Sequence, residues 1–167
     1  MGVTELGQLS VQGTTVILRR AVADDVRSIV GLLAADQLGA VRDVIASDAD
    51  LKPYLSAFAT IDADPAHLLL VAAVGVEVVA TLQLSVLPGL ARRGARRAQI
   101  EAVRVRDDCR NRGLGAALVD WAIEEARRRE CALVQLTTDK SRADAHRFYE
   151  RLGFVASHEG LKLRLVL

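Results

Sequence analysis

The stretch that most limits what this chain can become is residues 99–129, QIEAVRVRDDCRNRGLGAALVDWAIEEARRR. Residues 99–106 carry apolar side chains on both alternating faces, Ile100 and Ala102 against Val103 and Val105. That pattern predicts a strand covered on both sides. From Leu114 the period becomes helical, with Leu118, Ala122 and Ala126 along one face and Val119 and Trp121 beside it. Asp120 and Glu124 precede Arg127, Arg128 and Arg129, the order that a helix dipole favours. Strand and helix are joined by Arg110-Asn111-Arg112-Gly113-Leu114-Gly115.

This turn is a candidate anion site. Glycines allow a ligand to approach the backbone closely, and a helix start presents unpaired N–H groups beside a partial positive charge. Arg110 and Arg112 add permanent charge, so a pyrophosphate suits the turn. The plainer alternative is a surface turn with solvated arginines. A P-loop is excluded because no Gly-Lys-Ser/Thr follows. A dinucleotide fingerprint would need a third glycine where Leu118 stands. Asp139, 24 residues after Gly115, falls near the place of a ribose-binding acid, so that alternative is weakened but stays open.

The Arg110-x-x-Gly113-x-Gly115 turn, after a strand ending Val103-Arg104-Val105, resembles the acetyl-CoA loop of the GNAT superfamily of N-acetyltransferases. A second segment resembles the same family: Ala145, Tyr149 and Gly153-Phe154 match its Ala-x-x-x-Tyr-x-x-x-Gly-Phe pattern, in the right order and at the expected separation. The resemblance is motif-specific from residue 99 to residue 154 and architectural before that. It implies acetyl-CoA as acetyl donor, bound by Val103, Val105, Arg110, Asn111, Arg112, Gly113, Leu114, Gly115 and Ala116. It also implies a largely antiparallel sheet splayed between its fourth and fifth strands, with the pantetheine arm entering that splay.

In the resembled family Tyr149 is the general acid that protonates the leaving thiolate. From sequence alone the same tyrosine reads as a core aromatic at helical spacing. Many relatives carry Asn where Arg142 stands, so a contact to pantetheine or phosphate falls to Arg142 or is lost. Acetyl transfer also needs a neutral amine, and an amine of pKa near 10.4 is only about 0.04% neutral at pH 7. Glu101 is the candidate base, expected on the strand face of Val103 and Val105, where apolar neighbours would raise its pKa. Its alternatives are a partly exposed glutamate paired with an arginine, or water as the relay. His67, His146 and His158 are scattered, and no metal site is expected.

The rest of the chain supplies the frame. Residues 14–20 read as a first strand, and Asp24 as the cap of a helix built on Val26, Ile29, Val30 and Leu33. Residues 38–66 are less regular, with Pro53 opening a short helix that carries Tyr54, Leu55, Phe58 and Ile61. Residues 68–74 and 77–87 flank Gly75 as a hairpin. The loop after it carries Arg92, Arg93, Arg96 and Arg97, either a clamp for an acceptor's phosphate or carboxylate or a solvated basic loop. Residues 132–138 read as an apolar strand, and Ser141 with Asp144 as a capping box. Gly153 ends that helix, Phe154 opens another strand, and Leu161, Leu163 and Leu165 alternate with Lys162 and Arg164 as a half-exposed last strand.

At 167 residues with 51% hydrophobic content, the chain can bury one core. Net charge is +1 and aromatics are 4%, which argues against nucleic acid as a partner. No apolar run approaches the roughly 20 residues that span a bilayer, and the start lacks a signal-peptide pattern. Cys109 and Cys131 fit neither a metal spacing nor a disulfide framework. The expectation is a cytoplasmic, mixed α+β (α/β) domain over residues 14–167, after a loose lead-in over 1–13, with helices on both faces of the sheet. Its function is expected to be acetyl-CoA-dependent acetylation of a primary amine on a small molecule, with an amino sugar among the candidates and a homodimer among the assemblies allowed. Two alternatives stand beside it: a catalytically silent acyl-CoA-binding regulatory module and a dinucleotide-binding domain.

Overall fold

A computed structural model describes residues 4–35, 43 and 45–165. Residues 36–42 and 44, within the stretch read as irregular, lie outside the described residues, as do 1–3 and 166–167. The elements run β1 (Glu5–Val11), β2 (Thr14–Arg20), α1 (Val26–Ala34), α2 (Lys52–Ala63), β3 (His67–Val74), β4 (Glu77–Leu87), α3 (Ala91–Gly94), β5 (Arg96–Val105), α4 (Leu114–Arg128), β6 (Cys131–Leu136) and α5 (Ala143–Arg151). All six strands form one sheet in sequence order. Every neighbouring pair is antiparallel except β5 and β6, which run parallel. The parallel step is made by α4, since parallel neighbours need a long crossover connection, usually a helix.

Period-two alternation divides β3 between two cores. Leu68, Leu70 and Ala72 face the α4 side, with Leu114, Leu118, Val119, Ala122 and Ala126. Leu69 and Val71 face Ile29, Leu33 and Phe58 on the α1 and α2 side. Helices therefore cover both faces, as the apolar strands require.

Several expectations are corrected. Residues 5–11 form β1 rather than a loose lead-in, with Leu6, Leu9 and Val11 packed on the core. The Gln12-Gly13 turn has both φ values positive, 48° and 79°, the geometry of a tight hairpin that matches strand twist. A register shift near Gly7 blurs the alternation that would have revealed the strand. Asp25, not Asp24, closes the start of α1: its carboxylate accepts the Val22 N–H at 2.8 Å and two Arg19 bonds at 2.6 and 2.7 Å. Before α5, the carboxylate of Asp139 accepts from Ser141 N–H (2.9 Å) and Oγ (2.6 Å), which replaces the expected Ser141–Asp144 box.

Among the described residues the expected last strands do not form. Residues 154–165 are irregular, and Leu161, Leu163 and Leu165 are 95%, 88% and 76% exposed. Ser157-His158-Glu159-Gly160 interrupts the alternation, and Glu159 pairs with Lys140 at 3.4 Å, holding the segment over the β6–α5 connection.

Candidate active site

The site is made by a fault in β5. Residues 96–100 are bridged to β6 on one side and, from Arg97 on, to β4 on the other. The ladder to β6 ends at Ile100–Leu136, while the ladder to β4 continues to Val105–Ala80. Fourth and fifth strands in the sequence count, before β1 is added, are these two; they part where the family resemblance implied a splay. At the same place Gln83 pairs with Glu101 and Thr81 with Arg104, so two β5 residues, Ala102 and Val103, stand opposite Leu82 alone. Ala102 takes φ = 54°. This is a β-bulge, which re-aims the side chains beyond it.

The bulge corrects one expectation. Ala98 and Ile100 face the α4 core, and past the bulge so do Val103 and Val105. Even positions thus give way to odd ones, and Glu101 does not share the face of Val103 and Val105. Glu101 is exposed and looks, with Arg104 and Leu33, into a cleft of about 480 Å³. Thr137, Thr138 and Asp139 border that cleft from the end of β6, with Arg142, Lys162 and Asp43 completing its charged wall. Among the described residues Glu101 makes no hydrogen bond or ion pair.

On the other face lies the glycine turn. Asn111 (φ 59°) and Gly113 (φ 89°) are both left-handed, and the space where a Gly113 side chain would stand is open. Gly113 immediately precedes α4, so the first amides of a 15-residue helix open toward solvent. Arg110 is tied back: its Nε donates to Val105 O at 3.0 Å, and it pairs with Asp107 at 2.8 Å. Arg112 is exposed beside it. Gly115 lies against the wall of the site: a Cβ there would make ordinary van der Waals contact, 3.6 Å from both Val105 Cγ2 and the Phe148 ring. Leu114 is buried, and Ala116 partly so, in the first turn of α4. Open amides, guanidinium charge and absent side chains fit a pyrophosphate.

Tyr149 connects the two. Its half-buried ring is held edge-on by Phe148 (5.0 Å) and Phe154 (5.7 Å), on an α5 without a fully buried residue. Burial pushes its phenol above the usual tyrosine range, opposed by the positive charges of Arg142 and Arg104, which line the cleft. The hydroxyl makes no hydrogen bond with described residues. A phenol kept protonated and without an internal partner can donate to a ligand atom.

The arginine loop lies elsewhere. Arg92 and Arg93 are exposed on α3, and Arg96 lines a separate depression with Arg20 and Arg129. From Arg96 to Val103 the strand runs roughly 23 Å at 3.3 Å per residue. Sequence reading missed Arg104, Thr138 and Lys162 as cleft residues. Thr138 Oγ1 is buried without a hydrogen-bond partner, which only coordinates reveal. Arg104 had a sequence signal, a charge inside an apolar strand.

A mixed sheet opened between parallel strands, with a glycine turn on one side and a protonated tyrosine at the gap, defines an acyl-transfer scaffold. The sequence matches the Acetyltransferase (GNAT) family over residues 35–154. The chain belongs to that family and is an acyltransferase. A structure described as a transcriptional regulator from Bacillus halodurans C-125 superposes with a TM-score of 0.85 at 46% identity, covering 90% of this chain and 99% of that one. A Trypanosoma brucei acetyltransferase gives a TM-score of 0.73 at 26% identity, covering 90% and 99%. An aminoalkylphosphonate N-acetyltransferase of Salmonella typhimurium is 42% identical over 60 residues, 36% of this chain and 39% of that relative's length. Among the described residues no helix is long and apolar enough to cross a membrane.

Proposed function

We propose that this chain transfers the acetyl group of acetyl-CoA to the primary amine of a small molecule by direct attack on the thioester. The observation that carries this is the opening of β5 from β6 immediately after Ile100, between the glycine turn and the charged cleft. Residues 110–116 hold the pyrophosphate through α4's first amides, with Arg112 beside them. Val103 and Val105 form the wall along which the pantetheine arm lies. Arg142, at the start of α5, borders both the cleft and Tyr149.

Glu101 takes a proton from the ammonium form of the acceptor, so that the nitrogen lone pair can attack the acetyl carbon. A C–N bond forms, the C–S bond breaks, and the second amine proton leaves to solvent. Tyr149 gives its phenolic proton to the departing sulfur and regains one from water. The Salmonella relative, named for aminoalkylphosphonates, supports a small amine as acceptor, although the match spans about two fifths of its length. Arg92, Arg93 and Arg96 contribute, on this reading, at most to a distal part of an extended acceptor. A cytoplasmic setting and a homodimer accord with it.

Free thiol released from acetyl-CoA in the presence of amines tests the proposal. Wild type should release CoA only with an acceptor. Tyr149→Phe and Glu101→Gln should each lower kcat by about 10²-fold, with the Glu101→Gln loss shrinking as pH rises and the amine deprotonates unaided. Tight acetyl-CoA binding without thiol release from any amine would instead favour a silent acyl-CoA-binding module.

A further inference from the structure

Among the described residues the cleft beside Glu101 carries charges of both signs: Asp43, Glu101 and Asp139 against Arg104, Arg142 and Lys162. Two of its acids are already engaged. Asp43 accepts the Tyr54 hydroxyl at 3.3 Å, and Asp139 accepts both Ser141 donors. Those Ser141 bonds, reinforced by the charges of Lys162 and Arg142, hold the Asp139 carboxyl below the usual range. Lys162 therefore lies close enough to act on the cleft's acids, yet it makes no hydrogen bond or ion pair of its own among the described residues. Glu101 is the acid with no such engagement.

We infer that the acceptor is a zwitterion: a small molecule whose amine sits at Glu101 and whose anionic group, a carboxylate or a phosphonate, sits at Lys162 and Arg142. The inference rests on the acetyltransferase reading above and narrows its substrate class. A polyamine would bring two or more positive charges to a cleft where Asp43 and Asp139 are already engaged and Glu101 alone of the three acids is not, so its second charge would face Lys162. A neutral alkylamine would desolvate Lys162, which makes no hydrogen bond or ion pair among the described residues, without giving it a partner. An aminoalkyl acid satisfies both ends, because guanidinium and ammonium groups bind carboxylate and phosphonate oxygens through charge-assisted bonds. The Thr138 hydroxyl, buried at the same cleft and lacking a partner, offers one further donor to such oxygens.

The test compares four acceptors on the full chain: 3-aminopropylphosphonate, β-alanine, propylamine and spermidine, with thiol release as readout. The two anion-bearing amines should show kcat/KM at least about 10-fold above propylamine and spermidine, the size expected from one charge-assisted contact. Whichever of the two is faster identifies the anion. Lys162→Glu, at an exposed position in the irregular segment 154–165, should reduce the anion-bearing advantage by roughly 10- to 100-fold, mostly through KM. Lys162→Met should fall between that variant and wild type. Equal use of propylamine and the zwitterions, a preference for spermidine, or an advantage untouched in Lys162→Glu would each overturn the zwitterion while leaving acetyl transfer standing. No thiol release from any of the four, with acetyl-CoA binding intact, would overturn acetyl transfer and the zwitterion together.

Discussion

Along β5, residues 97–100 are held by β4 and β6 at once, whereas residues 101–105 are held by β4 alone. The first region belongs to a body in which Leu18, Leu70, Leu82 and Leu84 are wholly buried. The second faces β6 and α5, neither of which contains a fully buried residue. Closing the sheet maximises apolar burial and paired backbone; opening it leaves main-chain groups and half-buried side chains for a ligand to cover. On the proposed function, the fold places its stability in the β2–β4 body and its binding capacity in the β5–β6 gap, with the Ala102 bulge at the boundary.

Mutations should separate the two regions by magnitude. The largest loss is expected from Asp25→Ala, which strands the Arg19 guanidinium: the side chains of the pair are only 14% and 8% exposed. Removing one member of such a pair costs about 3 kcal/mol or more, readable as a fall in denaturant midpoint. Burial alone would raise the Asp25 carboxyl, but the Arg19 guanidinium and the Val22 N–H hold it below the usual range. Its contribution is therefore present above the unfolded value near pH 4 and is lost as pH falls through the folded one. Acid titration of Asp25→Ala should accordingly be shallower than that of wild type. Next comes Leu84→Ala in the closed body, at about 2–5 kcal/mol for a buried leucine. Smallest is Val105→Ala in the open region, about 1 kcal/mol from two partly buried methyl groups. Equal costs for Leu84→Ala and Val105→Ala would mean that the open region is as well packed as the closed one.

How much of this was legible beforehand follows the same division. Turn, helix and Tyr149 could be read because glycine spacing and helical period are local properties, and α4 and α5 form close to where residues 114–129 and 145–152 predicted them. The face of Glu101 could not. A bulge depends on how β4 and β5 pair, and the alternation of Ile100, Ala102, Val103 and Val105 looks the same with or without it. Strand β1 was hidden by its polar content, and the exposed leucines of residues 161–165 carried a strand pattern that finds no partner among the described residues. Lys162 and Arg104, about 58 positions apart in sequence, line the same cleft, a juxtaposition that only the folded chain creates.

The central claim is that acetyl-CoA binds where β5 leaves β6, anchored at the start of α4. Calorimetric titration of acetyl-CoA into wild type and Gly113→Asp tests it most directly. Aspartate there places a carboxylate among the anion-binding amides and forces a side chain onto φ = 89°. Affinity should fall by about 100-fold or more, equivalent to roughly 2.7 kcal/mol, while the fold loses only the strain of the positive φ, about 1–2 kcal/mol, because no atom lies within 4 Å of an added Cβ. Unchanged acetyl-CoA affinity in a folded Gly113→Asp variant would contradict the account.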